Sequence, residues 1–358
     1  MIATTTWKHN FSNYQNIDKI NQSGHQSLAI FQPLASHKLR LQFCTLYDEK
    51  PLHISKLTIY SKDQPQTVIT KDGQSDFSIE PRITDWSDWI NFNLLGDAYL
   101  SIELDSPNQT VHTIGSTISN QLLKTSETDP TVAKYFFGIC GLQVQTNQSY
   151  RRIAFFGDSL TNQGNFSAPL AYNLEKDFQI MTANYGISGN RLLHPGHSTS
   201  QWSTSFGEAG LTRFDHMLID YQPHIVIFME GINDLLHPGT GTPMNELPSK
   251  SAVITAIKLL KEKCRQQNIK FIPMTITPAQ GNINADVQAW SPTKEALRKA
   301  INQEILTMPH AIDLDSLTSH DNRLKPEFDC GDHVHFSTAG GKLVAKYVQQ
   351  QLIRQKMI

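Results

Sequence analysis

Apolar and polar residues alternate with two different rhythms along this chain, and the change falls near residue 148. Before it, short segments place apolar side chains at every second position: Leu39, Leu41 and Phe43; Ile90, Phe92 and Leu94; Leu100, Ile102 and Leu104. A period of two is what half-buried strands need, because successive side chains point to opposite faces of a sheet. Turn-forming strings separate the runs, among them DEKP at 48–51 and KDG at 71–73. The pattern predicts an antiparallel sandwich or roll, ending in a strand over YFFGICGLQVQT at 135–146. The polar stretch 107–134 carries no clear period and predicts no element.

From Arg151 onward, continuous apolar runs alternate with helical patterns, the signature of βαβ units around a parallel sheet. Strands are expected at RIAFFG (152–157), QIMTANYG (179–186), HIVIFMEG (224–231), KFIPMTIT (270–277) and, shorter, near HAIDLD (310–315). Val253, Ile257, Leu260 and Cys264 fall on one face at helical spacing and predict a helix over about 249–266. Ser291 and Pro292 predict the start of another, as N-cap and first helical residue.

The length of 358 residues agrees with two domains, 1–148 and 149–358. Lys and Arg number 31 against 33 Asp and Glu, a net charge of -2 with no basic stretch. Polyanion binders draw most of their affinity from neutralising phosphates, so neither nucleic acid nor a membrane surface is an expected partner. Hydrophobic residues at 39% exclude a disordered chain. Apolar runs such as IVIFM at 225–229 fall far short of the roughly 20 residues a spanning helix needs. The start, MIATTTWKHN, lacks the pattern of a secretory signal, so a cytoplasmic location is expected. Cys44, Cys140, Cys264 and Cys330 show no paired spacing; reduced thiols are expected and zinc is not.

The candidate chemistry sits at the end of the strand 152–157, where Gly157, Asp158, Ser159 and Leu160 place a serine hydroxyl at the carboxyl edge of a parallel sheet. Alone this string means little, since a serine after a strand is more often a helix cap. Three further strings change that: NYGISGNRLL at 184–193, EGIND at 230–234 and DHVHFSTAG at 332–340. Together with FFGDSLTNQG at 155–164, in this order, they resemble the SGNH (GDSL-type) serine esterases. The resemblance implies an α/β fold: a three-layer α/β/α, flavodoxin-like parallel sheet, preceded in some members by an antiparallel, jelly-roll-like β-sandwich. It also implies Ser159 as nucleophile, Asp332 and His335 as the pair that activates it, and Ser159, Gly189 and Asn233 as oxyanion donors. No cofactor and no metal belong to this chemistry.

Other residues are read against plainer alternatives. Asp158 is expected to satisfy backbone donors at the turn. The His333 and His335 pair is expected to share a face of a strand-like segment, with no further ligands for a metal; many members of the family have glycine where this chain has His333. The HPG triplets at 194–196 and 237–239 read as turns, with His194, His197 and His237 as candidate substrate contacts at the rim. Arg191 either binds a substrate oxygen or braces its loop. Trp86 and Trp89 form a sugar-stacking platform or, the commoner case, part of a sandwich core. Cys330 is expected to be near the triad only in sequence. The resemblance is strongest to carbohydrate acetylesterases, so a small-molecule or oligosaccharide ester is the expected substrate. Rival readings are a short-chain lipid esterase or thioesterase and a catalytically idle carbohydrate-binding protein. A homo-oligomer is left open.

Overall fold

The computed structural model describes residues 1–61, 64–284 and 286–358. The chain divides into two compact units, residues 1–151 with 171–183, and residues 152–170 with 184–358.

In the first unit Leu52–Ile54 pairs with Phe77–Ile79 in a small sheet, and the two larger sheets are antiparallel. In one, Ser36–Cys44 lies between Ile90–Leu94 and Lys134–Thr146; Thr113–Thr117 and Ser12–Asn13 extend it, and Ile2–Lys8 and Thr84–Trp86 pair alongside. In the other the order is Leu123–Lys124, His25–Gln32, Ala98–Asp105, Lys56–Tyr60, Thr67–Val68. The alternation in sequence becomes burial: Leu39, Leu41, Phe43, Leu100, Ile102 and Leu104 are all inside. The polar stretch that predicted no element supplies Thr113–Thr117, buried at every position. A strand of Thr, Ile, Gly and Ser buried on both faces has no apolar alternation to read.

Trp86 and Trp89 are not core residues. Trp86 stands opposite Gln42, on the face of Ser36–Cys44 that points away from Leu41 and Phe43. Ile90 stands opposite Leu39, which turns Trp89 to that same outer face. Both indoles are half-buried, with the Arg40 guanidinium 4.3 Å from the Trp86 ring and 4.6 Å from that of Trp89.

A further sheet has four strands, ordered Met181–Gly186, Arg152–Gly157, Ile225–Met229, Lys270–Pro273. The last three pair in parallel. Helices α1 (Ser159–Asn162) and α2 (Ser167–Phe178) follow the strand Arg152–Gly157; α3 (Gly210–Tyr221), α4 (Ile232–Leu236), α5 (Lys250–Gln266), α6 (Pro292–Leu306), α7 (Leu314–Thr318) and α8 (Thr338–Arg354) come later. Val253, Ile257, Leu260 and Cys264 of α5 are buried as their spacing predicts. The Ser291 side chain caps α6, accepting from the Lys294 N–H.

Two strands are shorter than expected. The run 270–277 leaves the sheet after Pro273, because the Ile276 N–H turns to Asn302 Oδ1 at 2.8 Å. The segment 310–315 makes a single parallel bridge, Ile312 to Met274. Asp313 then caps α7 by accepting from the Ser316 N–H, which diverts the chain into a helix.

Candidate active site

Gly157 ends its strand where a Cβ would lie 2.1 Å from the Met229 carbonyl oxygen of the adjacent strand, so no larger residue fits. Asp158 follows as N-cap of α1, its Oδ1 accepting from the Leu160 N–H at 3.0 Å, and Ser159 becomes the first helical residue. Burial, reinforced by Glu230, pushes Asp158 well above the usual carboxylate range.

The Ser159 hydroxyl meets His335, whose Nε2 is 2.7 Å from Oγ. On the far side of the ring, Nδ1 is 2.5 Å from Asp332 Oδ2. The other oxygen of Asp332 accepts from the N–H groups of Val334 at 2.9 Å and His335 at 2.8 Å. Burial alone would raise this acid; the hydrogen bond and charge of His335, with the two backbone donors, outweigh it and hold the carboxyl far below its ordinary value. A carboxylate only accepts, so Nδ1 carries the imidazole proton and Nε2 offers its lone pair to the hydroxyl.

Three contacts hold this loop near Ser159. Asn165 Nδ2 donates to the Phe336 carbonyl at 2.7 Å, and Asn282 Nδ2 to the Asp332 carbonyl at 2.9 Å. Gly341 of α8 approaches Asn165 so closely that a Cβ would lie 2.2 Å from its carbonyl oxygen.

Gly189 has φ +76°, the left-handed region where only glycine is free of strain, and its missing Cβ makes room for the Phe206 ring. Asn233 is the second residue of α4, whose N-cap is Gly231 at φ +119°. One N–H of its amide donates to the Asn190 carbonyl at 2.9 Å. Asp234 accepts from the Leu192 N–H at 2.7 Å and the Leu193 N–H at 3.0 Å, which ties α4 to the loop that carries Gly189. Burial, only partly offset by those donors, pushes Asp234 up to about 6.

A sequence model of the GDSL-like lipase/acylhydrolase family matches residues 155–343, the span that holds all of these groups. The chain belongs to that family. No curated protein matches it in sequence. Solved structures similar to this GDSL-like chain include a putative acylhydrolase from Bacteroides fragilis, at 21% identity and TM-score 0.41, covering 57% of this chain and 87% of that one. Another is the acetyl xylan esterase AlAXEase, at 19% and 0.41, covering 56% and 98%. A carbohydrate esterase family 2 enzyme plus carbohydrate binding domain from Corynascus thermopiles matches at 13% and 0.40, covering 98% and 99%.

Three of the rim candidates of this GDSL-like chain, Arg191, His194 and His197, are engaged with one another. Arg191 is buried; its guanidinium reaches Glu246 at 2.7 Å and the Pro195 carbonyl at 3.1 Å. His197 Nε2 contacts the other Glu246 oxygen at 2.7 Å. Burial opposes it, yet Arg191 and His197 hold Glu246 down at about 2. His194 stands beside His197, and burial followed by the Arg191 charge lowers its proton affinity. His237 is buried against the Phe206 ring, and burial pushes it down to about 4. Arg191 thus joins its own loop to Glu246.

Two expectations beside the triad are corrected. His333 is not on a strand: the segment is a turn, and His333 adopts φ +65° with its N–H and Nδ1 both on the Asp329 carboxylate. Cys330 is close in space as well as in sequence, its N–H donating to the His335 carbonyl at 3.0 Å. Surrounding protein and the Asp332 charge push its thiol up to about 11, far from a reactive thiolate. The side-chain ligand atoms of Asp329, Cys330 and Asp332 lie within 4.8 Å of one another. Both carboxylates are already committed to histidine and backbone donors.

The sequence reading missed Asn190, Arg213 and Glu230, all buried under this site. A signal existed. Arg213 stands four residues before Met217 and eight before Tyr221 on the buried face of α3, and Glu230 directly follows the apolar run IVIFM. A cation and an anion, each in an apolar pattern, point to a buried pair.

Proposed function

We propose that this chain is a serine carboxylic-ester hydrolase working through an acyl-serine, and that acetyl or another short acyl group on carbohydrate is its substrate class. The observation that carries this reading is the unbroken relay from Asp332 through His335 to Ser159 Oγ, at 2.5 and 2.7 Å. A serine hydroxyl is a poor nucleophile by itself, and this arrangement removes its proton as it reacts.

In the first half-reaction Ser159 Oγ bonds to the ester carbonyl carbon while His335 Nε2 takes the hydroxyl proton. Asp332 stabilises the imidazolium. Negative charge moves to the former carbonyl oxygen, where the N–H groups of Ser159 and Gly189 and the second N–H of the Asn233 amide serve as donors. The intermediate collapses, the C–O bond to the alcohol breaks, and the alcohol leaves with the proton from His335. Water then gives a proton to His335 and bonds to the acyl carbon; the C–O bond to Ser159 breaks, His335 returns the proton to Ser159 Oγ, and the acid leaves.

The acetyl-carbohydrate preference is supported by the strings GISGNRLL at 186–193 and MEGIND at 229–234, which resemble carbohydrate acetylesterases. Near-neutral charge suits an uncharged ester, which needs no steering field. We assign residues 149–358 to a three-layer catalytic domain and 1–148 to an accessory β-sandwich of jelly-roll type, a reading supported by the two antiparallel sheets with buried apolar positions.

Labelling with a fluorophosphonate, followed by peptide mass spectrometry, tests the mechanism. The adduct is expected on Ser159 and absent in Ser159→Ala; wild type that takes no label overturns the serine mechanism. Comparing acetylated xylo-oligosaccharides with a p-nitrophenyl ester series tests the substrate class, and peak turnover at eight carbons or more would end the acetyl reading.

A further inference from the structure

We propose that Asn190, clamped by Arg213, is the positioning residue that holds both candidate oxyanion donors, Gly189 and Asn233, in register with the strand bearing the nucleophile. The inference deepens the esterase reading and rests on it.

Asn190 is fully buried, and every one of its polar groups is engaged. Its N–H donates to the Ile187 carbonyl at 3.1 Å. Its Nδ2 donates to the carbonyls of Phe206 at 2.6 Å and Glu208 at 2.7 Å. Its Oδ1 accepts from Arg213 Nε at 2.6 Å, and its own carbonyl accepts from the Asn233 amide at 2.9 Å. One residue therefore fixes the peptide next to Gly189, the orientation of the Asn233 amide, and the segment that carries Phe206, whose ring packs on Gly189.

Arg213 connects this hub to the sheet. Its NH1 donates to the Tyr185 carbonyl at 2.5 Å and its NH2 to the Gly157 carbonyl at 2.7 Å. Gly157 is two residues before Ser159, and Tyr185 is near the end of the strand leading to Gly189. The guanidinium lies 3.9 Å from the Phe156 ring centre, and Glu230 Oε1 stands 3.4 Å from NH2 as counter-charge. Nucleophile and oxyanion donors thus share one rigid fork, a geometry a lysine cannot copy because its ammonium lacks the planar spread of donors. Aspartate cannot replace Asn190 either, since it has no N–H for the Phe206 and Glu208 carbonyls.

The test is a double-mutant cycle on p-nitrophenyl acetate hydrolysis, with a short alkylboronic acid as tetrahedral analogue and melting temperature as the fold control. Asn190→Ala is expected to lower kcat about 10- to 100-fold with KM within about threefold, as misplaced donors would. Boronic acid affinity should fall in parallel. Combined with Asn233→Ala, its effect should be clearly smaller than in the wild-type background, because the share that acts through that amide is already lost and only the share through Gly189 remains. Fully additive effects, or a KM change with kcat kept, overturn the proposal. If Asn190→Ala does not fold, Arg213→Lys, which retains the charge beside Glu230, must show the same kcat-specific loss, and unchanged kcat overturns the proposal. Should Asn233→Ala itself leave the rate unaltered, the oxyanion assignment fails and the hub with it. Loss of Ser159 labelling in wild type would instead fault the serine mechanism.

Discussion

The Phe206 ring fills the space that a side chain on Gly189 would occupy, its Cδ1 lying 2.1 Å from the position of a Cβ. With φ at +76° the backbone is also one that residues with a Cβ avoid. Gly189→Ala should therefore lose stability twice over, by about 1–3 kcal/mol from the conformation and a similar amount from overpacking. Adding Phe206→Leu should relieve only the second part. Urea denaturation of both variants checks this; full recovery in the double variant would show that the left-handed conformation carries no cost here.

Asp332→Asn retains the shape of the loop, and its amide oxygen can still accept from the Val334 and His335 N–H groups. What it loses is a partner that compels Nδ1 to carry the proton. The wrong tautomer then faces Ser159, and kcat should fall by about 10³- to 10⁴-fold with little change in KM. A loss below tenfold would remove Asp332 from the relay.

The grouping of Ser159, His335 and Asp332 was legible because the last two are three residues apart in one string and Ser159 stands at the end of an apolar strand. Parallel strands were legible for the same reason, as continuous apolar runs. The hub was not, since its side-chain bonds join residues 16 to 56 positions apart, from Asn190 to Phe206 and from Arg213 to Gly157. Such partners meet only in the folded chain. His333 was misread because its left-handed φ, fixed by Asp329, breaks the alternation that a strand would give. Trp86 was misplaced because its face depends on pairing with Gln42, a register that composition does not disclose.

Asp234 uses its two oxygens on two consecutive backbone donors, so Asp234→Asn can satisfy only one of them and turns an NH2 group toward the other. Leaving a buried donor unmet costs about 1–3 kcal/mol. The loss should appear in urea denaturation together with reduced kcat, since the same loop carries Gly189. An unchanged midpoint would mean that the loop reaches water when the bond is lost.

Glu175 on α2 is buried, with the Thr182 hydroxyl donating to Oε1 at 2.6 Å. Burial, stronger than that hydrogen bond, pushes it from 4.5 up to about 8. Between those values the folded chain retains a proton that the unfolded chain has released, so this group makes stability fall as pH rises through the window. Glu230, pushed up to about 7 by burial against the pull of Arg213, and Asp234 at about 6 act with the same sign. His9 and His237, each driven from 6.5 down to about 4 by burial, act oppositely: the unfolded chain binds their protons first, and stability falls as pH drops through that range. Glu175→Gln retains an acceptor for Thr182 and removes the ionisation. Its urea midpoint should differ least from wild type near about pH 5 and exceed it progressively up to about pH 8.5. A difference that stays constant across that range would show that Glu175 titrates normally in the folded protein.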